Sequence, residues 1–84
     1  MIKIIHLNFL ELKTFTEQDA LDYCQINNIN PDNINVLNLT INLLTDILGI
    51  KIFKNLEILS LSDNKLKELN ISYNKLTDIL FKKY

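Results

Sequence analysis

The chain has 84 residues, a formal net charge of −1 and 48% hydrophobic residues. A chain of this length makes one domain and buries only about 60–65% of its unfolded surface, so its stability rests on a small and mostly aliphatic core. All nine basic residues are lysines, and without arginine the chain lacks the side chain best suited to bidentate phosphate and guanine contacts, which argues against nucleic acid as a partner.

The N-terminal "IKIIHLNFLEL" is rich in β-branched and aromatic residues and predicts a strand, although Ile2, Ile5, Phe9 and Leu12 also fit a helical stripe. His6, Asn8 and Glu11 interrupt the apolar stretch and no small-residue cleavage site follows, so it is read as mature protein and not as a leader. Elsewhere the longest apolar run is broken by Asp46 and Lys51, short of the roughly 20 residues that span a bilayer.

"TEQDALDYCQINN" predicts a helix over 16–28. Thr16 is placed to cap it, acidic residues fill the first turn, and Ala20, Leu21 and Cys24 share one side. Pro31 disfavours helix just before it, which ends the element near Asn27 or Asn28. Cys24 is the only cysteine. It allows no intramolecular disulfide and no cysteine-based zinc site, and it fits a reducing, cytoplasmic setting. Residues 1–33 are expected to form an N-terminal cap and 34–84 the rest of one compact domain.

From residue 34 onward the chain repeats. Asn42 and Asn64 lie 22 residues apart, preceded by Ile34, Leu37 and Leu39 in one copy and by Leu56, Leu59 and Leu61 in the next. "LEILSLSDNKL" matches L-x-x-L-x-L-x-x-N-x-L at every fixed position, and "INVLNLTINLL" matches with isoleucine in the first slot. Over about 34–80 the chain thus resembles the leucine-rich repeat family, in its short 22-residue, internalin-like bacterial form. The resemblance implies an α/β fold of the α+β kind: a short solenoid of two to three coils carrying an N-terminal strand and helix as its cap. It implies that stacked coils bury their leucines against one another. Each asparagine amide would then satisfy backbone groups freed where the chain turns out of a strand. Leu66 to Ile79 fits either a third coil or a convex return strand, and "ILFKKY" would close the stack or pair with a second copy in a homodimer.

In such a coil the strand residues between the leucines face outward. The residues expected to bind a partner are therefore Val36, Asn38 and Thr40, beside Ile58, Ser60 and Ser62. If Leu66 to Ile79 is a true strand-bearing coil, Glu68, Asn70 and Ser72 join them, with Ile41, Asp63 and Tyr73 at the edge. Chemistry is sparse by comparison. His6 and Cys24 are single representatives of their kinds, the acids do not cluster, and the lone Gly49 excludes a glycine-rich phosphate loop. No catalytic, cofactor-binding or metal-binding residue is expected. The expected function is a non-catalytic module that binds another protein. A more specific alternative is a small phage or mobile-element inhibitor of a bacterial defence nuclease, in the manner of anti-CRISPR proteins. A further alternative is a structural or self-assembling repeat unit.

Overall fold

The computed structural model describes residues 3–66 and 78–80. Four three-residue strands, β1 (Ile4–His6), β2 (Val36–Asn38), β3 (Ile58–Ser60) and β4 (Asp78–Leu80), form one parallel sheet in sequence order. Parallel neighbours require long crossover connections. The first of these, residues 7–35, carries the helix α1 (Glu17–Ile26) and a 3-10 turn at Pro31–Asn33, and the second carries a 3-10 turn at Leu48–Ile52.

Strands β1, β2 and β3 turn their middle residues inward. Ile5, Leu37 and Leu59 are aligned in register and are 3%, 0% and 0% exposed, and Ile79 holds the same register position on β4. Beyond the strands, Leu7, Leu39 and Leu61 repeat the pattern and are buried with them. Fully burying one such side chain contributes about 1.5–3 kcal/mol. In the same core, Phe15 stacks on Phe53 with parallel rings 6.5 Å apart.

Helix α1 begins where local chemistry favours it. The Thr16 hydroxyl accepts from the Asp19 N–H while the Asp19 carboxylate accepts from the Thr16 N–H, each at 3.0 Å, a reciprocal capping box. The helix buries Ala20 and Cys24 against the core. It ends at Asn27, followed by Asn28 in the left-handed region (φ 54°), a conformation that asparagine tolerates.

The asparagines hold the turns that follow β2 and β3. Asn42, 6% exposed, accepts from the N–H groups of Leu10 and Leu12 and donates to the carbonyls of Leu7 and Leu39. Asn64 accepts from Leu44 N–H and donates to the carbonyls of Leu39 and Leu61. Each amide ties its own turn to a segment before it in the sheet, so buried backbone groups are satisfied where the strand ladder stops.

The expectation of a solenoid of two to three coils with a separate strand and helix cap is corrected by this arrangement. The described residues form a small, compact α+β fold with one parallel sheet and a single α-helix among them. The physical reason lies in the N-terminal third. β1 is hydrogen-bonded into the same sheet as β2, and Ile5, Leu7, Phe15, Ala20 and Cys24 join one cluster with Leu37, Phe53 and Leu59. Burial comes from closing the chain on a shared core and not from lengthening a stack beneath a lid. The strand beside β3 is β4, and the choice between a third coil and a return strand for Leu66 to Ile79 falls largely on residues outside those described.

Candidate functional site

The face of the sheet opposite the core is built by alternation: if Ile5, Leu37 and Leu59 point in, their strand neighbours point out. Register then sets two outward rows. Ile4, Val36 and Ile58 form one, with Asp78 at the matching position of β4, and His6, Asn38 and Ser60 form the other, with Leu80 at the match. The ladder continues past the strands, because Leu7 and Phe9 donate to Asn38 and Thr40 while Leu39 and Ile41 donate to Ser60 and Ser62. This continuation aligns Asn8, Thr40 and Ser62 as a third row.

Of the residues expected to bind a partner, six are brought together here: Val36, Asn38, Thr40, Ile58, Ser60 and Ser62, all half-buried. Glu68, Asn70 and Ser72, with Tyr73 at their edge, lie outside the described residues. The positions in register with Ile58 and Ser60 are those of Asp78 and Leu80.

Polar groups on the face are organised by Asn38. Its Oδ1 accepts from the Thr40 N–H at 3.0 Å and from the Thr40 hydroxyl at 2.8 Å. Because that backbone donor fixes the orientation of the amide, Nδ2 faces His6 Nδ1 at 3.4 Å and makes this ring nitrogen the acceptor. The result is a pre-ordered polar track beside an aliphatic row in which Ile4 is 49% exposed.

Sequence reasoning missed three contributors, Ile4, His6 and Asn8, because it assigned their strand to a cap. The available signal was the period-two burial of Ile5 and Leu7, masked by the equally good helical stripe. It placed Ile41 and Asp63 at the edge of this face but missed Phe9 beside them. Phe9, Ile41 and Asp63 follow their strands at corresponding positions, and all three have left-handed backbone, φ 60°, 56° and 60°. For Ile41 this is a strained conformation, since β-branched residues rarely adopt positive φ. Phe9 and Ile41 nevertheless remain 66% and 41% exposed.

Cys24 is 3% exposed in the core, and burial pushes its thiol pKa up, away from the reactive thiolate. His6 stands on the exposed side of the sheet, so the two form no nucleophile and base pair. A cleft of about 600 Å³ between α1 and residues 10–15 includes Phe15, Tyr23, Asp19 and Asp22 in its lining. Asp19 is engaged by the Thr16 N–H and Asp22 by the Gln18 amide. No group of acidic, histidine or cysteine side chains among the described residues is arranged to hold a metal. No helix among them is long and apolar enough to cross a membrane. Comparison with family models, curated proteins and solved structures finds no significant match to this chain.

Proposed function

We propose that the chain is a non-catalytic protein-binding module that presents the outer face of its parallel sheet to a protein partner. The observation that carries this reading is the aligned aliphatic row Ile4, Val36 and Ile58 beside the ordered track His6, Asn38 and Thr40. Protein interfaces combine an apolar centre with satisfied polar groups around it. Phe9 and Ile41, exposed at the end of the strands, extend the apolar area.

The leucine-rich motif of residues 34–66 supports the same reading at the level of sequence, since repeats of that family most often present binding surfaces, although a motif alone fixes no function. The lone, buried cysteine fits a reducing, cytoplasmic compartment.

The test is retention of a partner from host lysate by the unaltered protein and by a variant carrying Ile58→Glu and Ser60→Arg. A protein retained by the first and lost by the second, with the two circular dichroism spectra superimposable, is the expected result. Equal retention by both removes the face from consideration.

A further inference from the structure

We propose that the open edge of β1 is a strand-addition site for an extended peptide that carries an aliphatic side chain next to a carboxylate. The first observation is hydrogen-bond parity. In a parallel ladder, alternate residues of a strand serve opposite neighbours. The carbonyl of Lys3 accepts from Asn35 and Val36, and the N–H groups of Leu7 and Phe9 donate to Asn38 and Thr40, so the odd-numbered residues serve β2. The backbone groups of Ile4, His6 and Asn8 therefore point the other way. They face an edge that no strand among the described residues covers, since β1 is terminal in the sheet. Main-chain pairing along such an edge supplies affinity, and pockets for alternate side chains supply selectivity.

The second observation is the pocket. A cavity of about 430 Å³ lies beside this edge, lined by Lys3, Ile4, Ile5, Ile29, Asn33 and Ile34 among others. Successive side chains of an added strand point to opposite faces of the sheet. Those on the outer face extend the row of Ile4, while those on the inner side enter the cavity, where Ile5, Ile29 and Ile34 offer aliphatic walls.

The third is charge. Lys3 is the only ionisable residue lining that cavity, and it makes no ion pair among the described residues. A carboxylate on the incoming strand is its complement. A second copy offering its own β1 would bring Ile4, Ile5, His6, Leu7 and Asn8, none of them acidic, so the observations favour a different chain.

The experiment titrates isotope-labelled protein with two blocked eight-residue peptides of alternating isoleucine and threonine, one flanked by glutamates and the other by lysines. The glutamate peptide is expected to saturate, to bind about tenfold more tightly than the lysine peptide, and to slow amide exchange at Ile4 and His6. Leu7, already bonded to Asn38, is expected to change little. Lys3→Glu reverses the preference between the peptides. Asn33→Trp fills the cavity, and His6→Pro deletes an outward N–H while leaving the β2 ladder intact. Each weakens binding about tenfold with the circular dichroism spectrum retained; where His6→Pro fails to fold, the other two variants decide. The proposal is overturned if neither peptide saturates, if the protected amides lie on α1, or if protection at Ile4 and His6 depends on protein concentration without peptide, which identifies a second copy as the occupant. Neither Lys3 nor Asn33 belongs to the face rows, so failure here and failure of the face reading are separate results.

Discussion

The N–H of Gly49 donates to the carbonyl of Phe15 at 2.7 Å, drawing the 3-10 turn after β2 against the start of α1. A Cβ at Gly49 would stand 2.6 Å from the Thr16 carbonyl oxygen and 2.8 Å from that of Phe15. Both are backbone atoms, and the Thr16 oxygen already accepts the Ala20 N–H, so no flexible side chain can move aside. Glycine is needed here for closeness and not for handedness, since its φ is not in the left-handed region. Gly49→Ala is expected to destabilise the fold by about 1–3 kcal/mol, the range for overpacking a well-filled core. Urea denaturation checks this, and an unchanged midpoint would show that the turn can retreat from α1 without loss.

Asn42 and Asn64 occupy corresponding turns but differ in burial. Removing the Asn42 amide strands two N–H donors, Leu10 and Leu12, and takes a donor from the carbonyl of Leu7 in a site only 6% exposed, while the Leu39 carbonyl keeps the Asn64 amide. Asn64 is half-buried, so water can replace part of what it provides. With each buried unsatisfied group costing about 1–3 kcal/mol, Asn42→Ala is expected to lose about 3 kcal/mol and Asn64→Ala distinctly less. Thermal melts of the two variants give the order directly. A larger loss for Asn64 would mean that the turn after β3, not the one after β2, anchors the sheet.

These same asparagines were legible in the sequence because an amide recurring inside a leucine pattern has few roles besides satisfying enclosed backbone. The alignment of Leu37 with Leu59 was equally legible, since both copies keep one spacing from strand to asparagine. The place of β1 was not. Ile5 registers with Leu37 across a longer separation than the one between Leu37 and Leu59, because the intervening chain holds all of α1. No fixed period points to that pairing. The outer face was consequently read as starting at Val36, when Ile4 and His6 extend it by a strand. The left-handed backbone of Phe9 and Ile41 was illegible for another reason: neither residue type signals positive φ.

Thr16 was recognisable as a cap from its position before an acidic first turn, and the structure adds the reciprocal bond from the Thr16 N–H to Asp19. Thr16→Ala is expected to cost about 1 kcal/mol and Thr16→Ser much less, because only the hydroxyl acceptor matters at this position. Amide exchange at Asp19, whose N–H the hydroxyl accepts, provides a local check beside the global melt. Equal losses in the two variants would assign the effect to the threonine methyl and not to the cap.

Cys24 offers a prediction in pH. Burial raises its thiol pKa above the ordinary 9.0, so the folded chain retains this proton at pH values where the unfolded chain releases it. Stability rises with pH only where the unfolded state binds more protons. Here it binds fewer, so the contribution of Cys24 is fully present below 9.0 and is lost as pH climbs from there toward the raised folded value. Lysines and tyrosines also titrate in that range, and comparison with Cys24→Ala isolates the thiol. The unaltered protein is expected to lose stability to urea more steeply than Cys24→Ala as pH rises above 9.0. Its native thiol is also expected to react with a disulfide reagent far more slowly than the unfolded one. Parallel pH profiles for the two proteins, together with rapid modification of the native thiol, would place Cys24 in contact with water and overturn its assignment to the core beneath α1.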